Sequence, residues 1–181
     1  MNRTYMPFRA GSRAYPELSA EQRSQLARIE PSVVDEELRY WPCSVTLKDG
    51  TIVDRVYIVA AQPYINTWGV WPDQDSFKHE VRIEEVVAIR PSPTRIPKRF
   101  ADVLYGTGES GMGYTVFTAV FRDGTSRAYI AGNAIDFIDV PSGLTAEDII
   151  EVRPHIGRER AIEDRAPYFW CIHGIGASHV A

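Results

Sequence analysis

Apolar and polar positions alternate with a period of two at two places along the chain. In CSVTLKDGTIVDRVYI, residues 43–58, Val45 and Leu47 alternate with Ser44, Thr46 and Lys48, the spacing of a strand with one buried face. In FTAVFRDGTSRAYIAG, residues 117–132, Phe117, Ala119 and Phe121 take the places of Cys43, Val45 and Leu47. Each run meets Asp-Gly-Thr, and Gly50 and Gly124 supply the positive φ that a tight hairpin needs. Each copy then closes on a related stretch, IEEVVAIRP at 83–91 and AEDIIEVRP at 146–154, an acidic turn running into a strand that ends in Arg-Pro. Ordered self-similarity of this kind reads as a duplication. The first copy is the longer by eleven residues between its glycine and its closing arginine, and most of the excess falls in QPYINTWGVWPDQDSF, residues 62–77.

Helical signals sit at the edges of these units. Ser19-Ala20-Glu21-Gln22 is a capping box that opens a helix through about Ile29, stopped by Pro31. Thr145 and Asp148 pair likewise ahead of Ile149, Ile150 and Val152. A second helix is predicted from Pro97 to Tyr105, with Phe100, Val103 and Leu104 as its buried stripe and Gly106 as its left-handed stop.

The fold expected is therefore mainly β with a few short helices: two related small antiparallel barrel-like units from an internal duplication, joined by a short helix. In layout alone, without any family motif, the units resemble SH3-like and Sm-like small barrels. The expected boundaries are 1–38 for an N-terminal helical extension, 39–94 for the first unit and 95–113 for the linker helix and glycine-rich loop. The second unit takes 114–156, and the tail at 157–181 packs back on the body through Tyr168, Phe169, Trp170 and Ile172.

Composition adds exclusions. Of 181 residues, 44% are hydrophobic and 24% charged, which fits a globular chain and neither a disordered nor a membrane class. The net charge of −4 argues against general attraction to nucleic acid. The N-terminus lacks an apolar signal segment and no run approaches a spanning length, so a cytoplasmic location is expected. Cys43 and Cys171 are too few for a disulfide scaffold and read as small core hydrophobes, while a Cys171/His173 nucleophile pair lacks an orienting third group. His79, His155 and His179 are scattered, so neither a metal nor any other cofactor is expected.

The stretch YGTGESGMGY, residues 105–114, spells G-x-G-x-x-G from Gly106 to Gly111. Phosphate-binding glycines of the dinucleotide kind follow a strand and open a helix, whereas these follow a helix and precede a strand. The loop reads first as a sharp turn. It also holds Glu109, Ser110 and Met112 at an accessible position, where they become candidate contacts for a partner. The phosphate alternative would use Gly108, Ser110 and Gly111 with Arg95, Lys98 and Arg99 of the basic linker RPSPTRIPKR, residues 90–99, which otherwise reads as a solvated connection.

Tyr64, Trp68, Trp71 and Phe77 concentrate in the extra segment of the first unit. Aromatics there either cover the core or anchor a partner. Asn133, Asp136 and Asp139 stand close together in GNAIDFIDVPSG, residues 132–143, and alternation predicts that Ile135, Phe137 and Val140 turn inward while the acids face water. The favoured expectation is a non-enzymatic, protein-binding module, such as an immunity or inhibitor protein, acting through the aromatic and glycine-rich loops. The alternatives are an enzyme or binder of a nucleotide or phosphorylated small molecule at the glycine-rich loop, and nucleic-acid binding through the basic linker.

Overall fold

A computed structural model describes residues 13–132, 134–155, 162–163 and 167–174. In chain order the elements are α1 (Ala20–Leu26), β1 (Ser32–Val33), β2 (Arg39–Leu47), β3 (Ile52–Ala60), α2 (Ala61–Trp68), β4 (His79–Glu80) and β5 (Val86–Arg90). There follow α3 (Lys98–Thr107), β6 (Thr115–Phe121), β7 (Ser126–Ala131), β8 (Ile149–Pro154), β9 (Ile162–Glu163) and β10 (Phe169–His173). Short 3-10 turns at Pro72–Gln74, Ile83–Glu85 and Ala146–Asp148 punctuate the strands. The protein is mainly β with a few short helices, in two sheets.

The Asp-Gly turns form where the alternation places them. Gly50 has φ +86° and Gly124 φ +85°. In each turn the glycine N–H donates to the carbonyl three residues back, Leu47 or Phe121, at 2.9 Å. The following threonine N–H donates to the turn aspartate, Asp49 or Asp123, at 2.8 Å. The closing strand then pairs antiparallel with the first strand of its hairpin, β5 with β2 and β8 with β6, and both pairings shift register at the residue just before the turn.

Neither sheet closes into a barrel among the described residues, contrary to the expectation. The first runs β1-β2-β3-β10-β4 with β5 also on β2, and the second runs β8-β6-β7-β9. The physical reason lies in the fourth strands. β10 joins β3 in parallel and β9 joins β7 in parallel, so each sheet extends sideways instead of bending back on its closing strand. With β10 beside it, β3 is buried on both faces, and Val56, Tyr57, Ile58 and Val59 are all fully covered. Val56 and Ile58 join Cys43, Val45 and Cys171 in a core under α1, while Tyr57 and Val59 join Tyr40, Trp170 and Phe137 in an aromatic core between the sheets. A third core lies under α3, around Phe117, Phe121 and Tyr129.

The helices refine the sequence reading. Ser19 and Gln22 make the predicted capping box, but α1 ends at Leu26. The Gln22 amide then donates to the carbonyls of Ile83 and Val86, and Gln25 accepts from Ile89 N–H, so the helix covers the β5 edge. α2 forms where a loop was expected. Pro63 falls in its first turn, where no N–H is needed, and Gly69 at φ +70° stops it. α3 passes through Gly106 and stops at Gly108, whose φ of +79° with ψ of −169° is not the left-handed helical cap expected, so the positive-φ glycine that ends the helix lies two residues beyond the predicted one. Among the described residues one non-glycine takes positive φ: Arg55, at +58° in the bulge of β3, from which its guanidinium donates to the Ile138 carbonyl at 3.1 Å.

Candidate functional site

A cleft of about 310 Å³ opens between the two halves of the fold. Leu38, Tyr40 and Trp68 form one wall, Leu104, Tyr105 and Ile135 the other, and Gly108 and Glu109 stand with them in the lining. Two local features build it. The end of α2 carries Trp68, whose indole N–H donates to the Tyr40 hydroxyl at 3.2 Å. The stop of α3 at Gly108 turns the chain so that Glu109 follows, and the Glu109 carboxylate accepts from Gly113 N–H at 3.0 Å. Burial pushes the Tyr40 phenol well above its ordinary pKa, so it stays a neutral hydroxyl.

Behind the Tyr105 and Ile135 wall lies Asp136, with 0% of its surface exposed. The Tyr105 hydroxyl donates to Oδ2 at 2.7 Å and the Ser32 hydroxyl donates to Oδ1. The Arg95 guanidinium approaches Oδ1 at 3.8 Å and also donates to the Ser32 hydroxyl at 3.3 Å. The Asp136 backbone N–H donates to the Tyr57 hydroxyl at 3.0 Å. Asp136 thus ties β1, the linker and α3 together through its carboxylate and reaches β3 through its backbone N–H. Burial raises its pKa, opposed by the hydrogen bonds from Ser32 and Tyr105 and by the Arg95 charge.

The expectation that Asp136 faces water is corrected: residues 134–138 are all buried, because the stretch packs between the sheets instead of forming a half-exposed strand. Asp139 is exposed as expected, and Asn133 lies outside the described residues. The signal for Asp136 was a lone acid inside the apolar run Ala134–Ile138. Ser32, Tyr57 and Tyr105 carry no local signal for their part in this cluster.

The structure separates the other predicted residues. Tyr64 and Trp71 are buried in the aromatic core, where their rings stack at 6.1 Å. Trp68 and Glu109 meet at the cleft. Phe77 and Met112 are 93% and 96% exposed and line no part of it. The Ser110 hydroxyl accepts from Val116 N–H at 2.8 Å, which makes it a strut of the loop. A side chain at Gly111 would run into the Tyr114 ring.

Nor does the basic linker form a phosphate cluster with the glycines. Arg95 turns inward to Asp136, Lys98 pairs with Asp102 at 2.6 Å, and Arg99 lies over the Phe100 ring at 4.4 Å. Of these cations, and of Ser110 and Gly111, none lines the cleft, while Gly108 does. Both cysteines are free and buried, and burial pushes the Cys171 thiol far above its ordinary value, which disfavours the thiolate a nucleophile needs. The neighbouring His173 Nδ1 lies 2.8 Å from the Gly174 carbonyl.

Among the described residues no three His, Cys, Asp or Glu side chains are grouped to hold a metal ion, and no helix is long and apolar enough to cross a membrane. Comparison of the chain with protein-family models, with curated proteins and with solved structures finds no match.

Proposed function

We propose that this chain is a non-enzymatic binding module that recognises a protein partner at the cleft between its sheets, as an inhibitor or immunity protein would. The observation that carries this reading is the chemistry of the lining: mostly apolar walls, with Glu109 the one side chain of formal charge among the described residues. A cleft of this size sits at the lower end of the range for ligand pockets and suits one large side chain of a partner. The Glu109 carboxylate and the chain's net charge of −4 favour a partner that offers an apolar stem with a cationic tip. A phosphate group in the same place would meet Glu109 and, among the described residues, no lining cation, which leaves the nucleotide reading without an observation in its favour. The free cysteines are compatible with a reducing, cytoplasmic setting.

The same reading takes the two sheets as descendants of one duplicated unit. It is supported by the matching Asp-Gly turns, by the equivalent antiparallel closing strands and by the parallel fourth strand in each sheet.

The test follows the Trp68 indole N–H by NMR while short peptides are added, with lysine or arginine between leucines, or glutamate in the same place. The basic peptides are expected to shift that signal, and Glu109→Lys to weaken their binding at least tenfold. Equal binding of the acidic peptides, or unchanged binding by a folded Glu109→Lys variant, would overturn the proposal.

A further inference from the structure

Tyr64 and Trp68 stand four residues apart on α2, a spacing that places both rings on one helix face. Lys78 reaches this face. Its ammonium lies 4.4 Å from the Trp68 ring centroid and 5.6 Å from that of Tyr64, with the Asp75 carboxylate at 3.6 Å. The Lys78 side chain is only 10% exposed. A turn holds it there: Lys78 N–H donates to the Asp75 carbonyl and Phe77 N–H to the Asp75 carboxylate, both at 3.0 Å.

A lysine is an uneconomical occupant of such a place. Its ammonium is compact and strongly hydrated, so leaving water for two ring faces and one carboxylate at the long end of ion-pair distance is unfavourable. Burial accordingly lowers its pKa, with Asp75 opposing the shift. The Tyr64 hydroxyl, also buried, has no hydrogen-bond partner among the described residues. Two aromatic faces beside a carboxylate are the groups that receive alkylated ammonium ions, which shed water more readily than a primary amine and meet the rings through their methyl groups.

We propose that Tyr64, Trp68 and Asp75 form a binding site for alkylammonium groups that the chain's own Lys78 occupies in the free protein. Lys78 is then an intramolecular plug, and an incoming cation must displace it. The site lies apart from the Glu109 contact at the cleft and uses the Trp68 ring from the side that Lys78 covers.

The test uses the full chain and two probes: tetramethylammonium, and a short peptide bearing trimethyllysine. A peptide with the uncharged tert-butyl isostere of trimethyllysine serves as control. Lys78→Ser is expected to bind the charged probes at least tenfold more tightly than the unsubstituted protein, and Trp68→Ala added to Lys78→Ser is expected to abolish the gain. Tighter binding of the peptide than of tetramethylammonium assigns the site to a protein-borne group, and the reverse assigns it to a free small cation. Equal affinity of Lys78→Ser and the unsubstituted protein, or equal binding of the uncharged isostere, would overturn the proposal. Should Lys78→Ser not fold, the Lys78 ε-methylene resonances of the unsubstituted protein decide. They are expected to be moved upfield by the rings and to return toward free-lysine positions as tetramethylammonium is added; resonances at free-lysine positions from the outset would refute the plug. Glu109→Lys is expected to leave tetramethylammonium binding in the Lys78→Ser background unchanged, which separates this site from the cleft.

Discussion

Replacing Asp136 by alanine removes the carboxylate on which three donors converge. The Ser32 and Tyr105 hydroxyls lose their acceptor, and Arg95, whose side chain is 13% exposed, loses its counter-charge. A buried donor left unsatisfied costs about 1–3 kcal/mol, and breaking a buried charged pair from one side costs about 3–5 kcal/mol. These overlap, because the same donors are counted in both, so the expected loss is about 4 kcal/mol, a large part of the ~5–15 kcal/mol that holds a domain together. Adding Arg95→Met to Asp136→Ala is expected to recover about 1 kcal/mol, since no guanidinium then remains uncompensated. The pH dependence has a definite sign. Burial raises the folded-state pKa of Asp136 above its unfolded value of about 3.9, so at pH values between the two the folded protein holds a proton that the unfolded chain has released, while above both Asp136 is the anion that faces Arg95. The contribution of Asp136 is fully present below the unfolded value and is lost as the pH rises through the folded one. The stability gap between the unsubstituted protein and Asp136→Ala should therefore widen on acidification through that window. Urea denaturation of both proteins from pH 7.5 down to pH 4.5 measures it. A loss below about 1 kcal/mol, or a gap that narrows as the pH falls, would refute the reasoning, because it would mean that the donors hold the anion better than burial penalises it.

Other outcomes follow from placement. Trp71→Ala and Tyr64→Ala should each cost about 3–5 kcal/mol in denaturant unfolding, whereas Phe77→Ser should change stability by less than about 0.5 kcal/mol. Gly50→Val and Gly124→Val force a branched side chain into positive φ and should each cost at least about 1–2 kcal/mol, nearly additively because the turns belong to different sheets. Cys43 and Cys171 should resist thiol reagents in the native protein and react together on unfolding. Fast native labelling of either, followed by mass spectrometry, would contradict their burial.

The elements legible in the sequence are those whose causes are local. An Asp-Gly pair between alternating strands needs only its own turn to form, and the Ser19–Gln22 capping box needs only one helical turn. The closing strands at 86–90 and 149–154 were likewise visible as apolar runs after an acidic turn. α2 escaped because Pro63, Gly69 and Pro72 punctuate the segment like a loop, although Pro63 sits where a helix tolerates it. The aromatic segment and the glycine-rich loop were both singled out, yet of the four aromatics of the segment only Trp68 reaches the cleft, with Gly108 and Glu109 from the loop, because burial of Tyr64 and Trp71 depends on which faces the sheets present to each other.

By itself, then, the order of residues determined the two hairpins, their closing strands, the start of α1 and a mainly β composition of elements, since each depends on periodicity and turn chemistry within a few positions. Tertiary structure alone decided that β10 enters in parallel beside β3, that the sheets stay open, and that Asp136 is buried among Ser32, Tyr105 and Arg95. Those outcomes join residues as far apart as Val56 and Phe169, 113 positions, and Ser32 and Asp136, 104 positions, and no local pattern encodes such a meeting; it arises only when the apolar faces find one another and carry their polar neighbours with them.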